Sequence, residues 1–76
     1  MTKVYLSKQQ HDPYEKFKIL YISTDLDAAM EFTKNKVVTE DDSMLDFSIE
    51  VWENEKKYGY YYWDYCEKNF GYVSNT

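Results

Sequence analysis

From Asp46 to Glu53 the chain alternates without a break, with Phe47, Ile49 and Val51 on one side and Asp46, Ser48 and Glu50 on the other. A period of two is the pattern of a half-buried strand, so this segment is read as one. Asn54-Glu55 then offers a tight turn. A regular hairpin would pair Glu53 with Lys56, Val51 with Tyr58, Ile49 with Tyr60 and Phe47 with Tyr62. In that register Tyr58, Tyr60 and Tyr62 face the core. Trp52, Tyr61, Trp63 and Tyr65 are then left on the opposite face with Glu50 and Lys57.

The rest of the chain divides on the same grounds. Lys3 to Ser7 is a short β-type run with Val4 and Leu6 on one face, followed by a polar loop, Lys8 to Lys16, that contains Pro13. Phe17 to Ile22 has little polar interruption, as expected of a strand sheltered on both faces or lying in the middle of a sheet, antiparallel to the first. Ser23-Thr24 supplies an N-cap, with Asp27 three residues after Thr24 in the manner of a capping box and Asp25 in the positive first turn. A helix over 25–36 follows, in which Leu26, Ala29, Met30, Thr33 and Val37 recur at helical spacing with Phe32 on the flank. Val38 to Leu45 reads as an acidic loop. After Gly59 a strand is preferred to a short helix, and 67–76 reads as a tail that frays or docks through Phe70 and Tyr72. The expected fold is a single α+β domain over 1–76. It has a small antiparallel sheet of about four strands, in the order ββαββ, with one amphipathic helix on one face.

Size and composition narrow what such a domain does. A chain of 76 residues buries only about 60–65% of the surface its unfolded form exposes. Nine Tyr, four Phe and two Trp enrich the core, at roughly 150–250 Å² per buried ring. All nine basic residues are lysines and the net charge is −5. Without the planar fork of arginine, and with a field that repels polyanions, direct nucleic-acid binding is disfavoured. No run approaches the about 18 apolar residues of a membrane span, the first residues form no apolar leader, and Cys66 is the only cysteine. These features imply the cytoplasm. Abundant Lys, Asn, Tyr, Phe and Ile with no Arg is what AT-rich codons produce, which points to a low-GC bacterium, its phage or a mobile element.

Catalytic chemistry finds no purchase. One His and one Cys, far apart, do not make a metal site, and Glu40-Asp41-Asp42 lacks the spacing and glycine of a calcium loop. Cys66, in an aromatic run, reads as a small buried hydrophobe, and His11 as a solvated loop residue. With only Gly59 and Gly71, no phosphate loop exists. The expectation is a non-enzyme with no catalytic residue, no metal and no cofactor.

Two surfaces remain as candidates for binding a partner. The aromatic set Trp52, Tyr61, Trp63 and Tyr65 has the residue types that anchor protein interfaces, against the alternative that these rings pack the second side of the sheet. One helix cannot cover both faces. The acidic set Glu40, Asp41, Asp42, Asp46, Glu50 and Glu53, with Glu55, either keeps the protein soluble or imitates the phosphates of DNA.

The opening Lys-Val-Tyr-Leu, the strand Phe-Lys-Ile-Leu-Tyr-Ile-Ser-Thr running into Asp-Leu-Asp-Ala-Ala-Met-Glu-Phe, and the later Ile-Glu-Val-Trp-Glu-Asn-Glu resemble segments of small uncharacterised proteins of bacteria and phages. The likeness covers about Lys3 to Lys57. Its departures are Glu55, where the turn usually has glycine, and the Tyr-Tyr-Tyr-Trp run that follows. The resemblance implies a ββαββ order and a bacterial or phage source, with the host cytoplasm as the location if the chain is phage-encoded, and no functional residue. Together these readings describe a protein-interaction module, an accessory factor that binds a protein partner through an aromatic sheet face with an acidic border. A DNA-mimic inhibitor of a nucleic-acid enzyme, of anti-restriction or anti-CRISPR type, is the alternative, and a homodimer with paired aromatic faces is the second.

Overall fold

A computed structural model describes residues 2–10, 17–40 and 45–74. The elements run β1 (Val4–Gln10), β2 (Lys18–Ser23), α1 (Leu26–Glu40), β3 (Asp46–Glu53), β4 (Lys56–Asp64) and β5 (Asn69–Ser74). The fold is α+β, as expected, with a fully antiparallel sheet of five strands in the order β2-β1-β3-β4-β5. The order of elements is therefore ββαβββ and not ββαββ. Much of the supposed tail from residue 67 forms β5, because Phe70 and Tyr72 find aromatic partners across β4.

The apolar run Phe17 to Ile22 implies a strand sheltered on both faces or in the middle of the sheet, but the structure puts β2 at an edge, with Ile19 and Ile22 exposed. A run of apolar residues records hydrophobicity and not position. What holds β2 is the helix above it: Tyr21 stacks on Phe32 with ring centroids 4.7 Å apart, and Leu20 packs against the core of Val37, Leu45 and Phe47. A bulge in β2 lets Leu20 and Tyr21 both serve this side, since Ser7 pairs with Tyr21 while Lys8 pairs with Ile19.

The helix begins one residue later than the capping-box reading implies. Asp25 is the cap: its carbonyl accepts from Ala29 N, and its Oδ1 accepts from Asp27 N at 3.0 Å and Ala28 N at 3.4 Å. The helix continues to Glu40, four residues beyond the expected end. The spacing of Ala29, Thr33 and Val37 holds, and all three are buried against the sheet. Thr33 Oγ1 donates to Ala29 O at 2.8 Å, which leaves Ser7 to donate to Thr33 Oγ1 at 2.5 Å. A polar pair thus sits satisfied in the interior.

Candidate functional site

The β3–β4 hairpin decides which side chains reach which face. Its turn is Asn54-Glu55, with Glu53 opposite Lys56, as the sequence implies. The register then shifts: Trp52 pairs with Lys57 but Val51 pairs with Gly59, leaving Tyr58 as the extra residue of a bulge. One inserted residue reverses every later side chain of β4. Ile49 therefore stands opposite Tyr61 and Ser48 opposite Tyr62.

The expected aromatic face is accordingly split. Tyr61 and Trp63 lie on the helix side of the sheet, not on the face opposite the helix. There Trp63 meets Phe70 edge-on at 5.1 Å and Tyr65 at 6.5 Å, and Tyr61 lies 4.7 Å from Tyr72. Tyr65 donates its hydroxyl to Leu45 O at 2.7 Å, tying the following turn to the core. Trp63 Nε1 is buried with no hydrogen-bond partner among the described residues. Cys66, expected to be buried, is exposed in the turn after β4, where Asp64 Oδ1 accepts from its backbone N–H.

Only Trp52 of the predicted set lies on the face away from the helix. Its neighbours there are Tyr60 and Tyr62, which the regular register had turned inward, together with Val4 and Leu6 of β1, Ile19 and Ile22 of β2 and Val73 of β5. Ile22 is 59% exposed, Ile19 48% and Val73 39%. The signal for this arrangement was Gly59, since a glycine inside a strand pattern often marks a bulge.

Glu50 occupies the centre of this open face and is only 8% exposed. Lys8 Nζ donates to its Oε2 at 2.7 Å, Lys57 Nζ approaches the same oxygen at 2.8 Å, and Trp52 Nε1 donates to Oε1 at 3.1 Å. Burial opposes the charged carboxylate, but the hydrogen bonds from Lys57, Lys8 and Trp52 outweigh it and lower the pKa from 4.5 to about 2. The lysines in turn lie over rings: Lys8 is 4.7 Å from the Phe17 centroid and Lys57 5.3 Å from that of Tyr60. A groove of about 410 Å³ opens between Lys8, Ser48, Lys57, Tyr60 and Tyr62.

The predicted acidic set is dispersed. Glu50 is neutralised within the sheet, Asp46 and Glu53 mark opposite ends of β3, and Glu40 ends the helix. Asp41, Asp42 and His11 lie outside the described residues. Among the described residues no three His, Cys, Asp or Glu side chains group as metal ligands, and no helix is long and apolar enough to cross a membrane. No protein-family model, curated protein or solved structure matches the chain.

Proposed function

We propose that this chain is a non-enzymatic, cytoplasmic protein-interaction module, and that its partner seats on the sheet face opposite the helix. The observation that carries this reading is the composition of that face. Ile19, Ile22, Tyr62 and Val73 are exposed around half-buried Val4, Leu6, Trp52 and Tyr60, and the charge at its centre is already compensated by Lys8 and Lys57. Exposed apolar side chains on either side of a compensated charge, on a domain this small, form a surface that protein partners bury. Trp52 is held in place by Glu50, so the ring is presented at little entropic cost. The partner surface that fits is apolar where it meets Ile19, Ile22 and Val73, with polar acceptors near its centre for Lys8 and Lys57.

The test is capture of a binding protein by the wild type, Ile22→Lys and Val38→Lys, at low and high salt. Val38 is 71% exposed on the helix and lies off the proposed face, so it controls for a changed surface. Salt-resistant capture lost only in Ile22→Lys supports the reading; capture that survives Ile22→Lys refutes it. The DNA-mimic alternative draws on Asp46, Glu53 and Glu40, and predicts instead capture that weakens with salt and is lost on Asp46→Lys.

A further inference from the structure

The two edges of the sheet are built differently. β2 begins with Lys18 and contains the bulge at Leu20. A charge and a bulge are the usual devices that keep an edge strand from pairing with another chain. β5 has neither: Asn69–Ser74 contains no charged residue and no proline, and pairs with β4 over six consecutive positions without a shift. Every other strand carries at least one Lys, Asp or Glu.

β5 also exposes a large apolar side chain on each side of the sheet. Tyr72, 48% exposed, is on the helix side, and Val73, 39% exposed, is on the open face. An uncovered face accounts for one of these, whereas a strand added along the edge covers both.

We infer that β5 pairs antiparallel with β5 of a second copy about a two-fold axis, making one continuous ten-stranded sheet. A second copy of a chain of net charge −5 meets least repulsion where the contacting strands carry no charge, and β5 is the strand that meets this condition. Residues opposed across antiparallel strands share a face. With Gly71 on the axis, Phe70 of one copy opposes Tyr72 of the other on the helix side, and Val73 opposes Asn69 on the open face. Since Tyr72 touches Tyr61 and Phe70 touches Trp63 within each copy, the two aromatic clusters merge across the axis.

The test is sedimentation of the full chain over a concentration series, for wild type, Tyr72→Lys, Val73→Lys and Ile22→Lys. The expected wild-type mass rises from 9.2 kDa toward twice that value. Both β5 variants stay at one chain mass, and Ile22→Lys follows the wild type. Amide exchange in the wild type slows with concentration along Asn69–Ser74 and not along Lys18–Ser23. A wild type that stays at one chain mass across the series, a dimer that survives both β5 variants, or one lost in Ile22→Lys overturns the inference; the last result would indicate face-to-face pairing. If one β5 variant proves unfolded by circular dichroism, the other variant and the wild-type exchange pattern decide.

Discussion

Val51 on β3 faces Gly59 on β4, and β5 leaves no room for a side chain at the glycine. A Cβ added at Gly59 would run into both the Tyr72 ring and the Val73 carbonyl oxygen of the neighbouring strand. Gly59→Ala is expected to cost about 1–3 kcal/mol, lowering the melting temperature by roughly 4–8 °C per kcal/mol in a domain of this size. Gly71 makes a contrast, because all its nearest atoms belong to the Tyr62 side chain. The penalty of Gly71→Ala should largely vanish in a Tyr62→Ala background, whereas that of Gly59→Ala should persist in Tyr72→Ala. Thermal melts of the two double-mutant cycles check this.

The β3–β4 turn carries strain that a substitution can release. Asn54 and Glu55 both have positive φ, 54° and 66°, the backbone of the two-residue turn that best matches strand twist. Asparagine tolerates this region, and glutamate does so at a cost of about 1–2 kcal/mol. Part of the gain is returned because glycine loses more freedom on folding. Glu55→Gly is therefore expected to stabilise the protein by about 1 kcal/mol, read as a higher denaturant midpoint with an unchanged slope.

The hydroxyl pair between β1 and α1 should respond asymmetrically to deletion. Thr33→Val removes the acceptor of the fully buried Ser7 hydroxyl and is expected to cost about 1–3 kcal/mol. Ser7→Ala in the same chain then removes the stranded group. The double variant should be more stable than the sum of the two single losses implies, and equilibrium unfolding of all four forms measures the difference.

Glu50 sets an acid limit on stability. Its folded pKa, about 2, lies below the unfolded value near 4.5, so its contribution is complete above pH 4.5 and is lost as pH falls toward 2. The shift corresponds to about 3 kcal/mol at most. Glu50→Gln should be less stable than wild type at pH 7, and the gap should narrow between pH 4.5 and 2. Equal losses of stability with acid in both proteins would remove Glu50 from this role.

Much of the architecture was legible in the chain. The period of two in Asp46–Glu53 gave β3 to the residue, Asn54-Glu55 gave the turn, and the spacing of Ala29, Thr33 and Val37 gave the buried stripe of the helix. These are local regularities, set by backbone geometry and the cost of leaving apolar groups in water, and they survive without knowledge of neighbours. It was likewise determined that one helix would leave a sheet face uncovered.

Tertiary structure alone decided which residues occupy that face. A one-residue bulge at Tyr58 sends Tyr61 and Trp63 to the helix side and Tyr60 and Tyr62 to the open side, because side-chain direction in a strand reverses at every residue and one insertion inverts all that follow. Likewise, the charge on Glu50 is in the sequence, but its neutralisation by Lys8, 42 positions away, exists only once β1 lies beside β3. Hydrophobic pattern selects the elements; their order in the sheet and their register, fixed by packing across strands, select the surface.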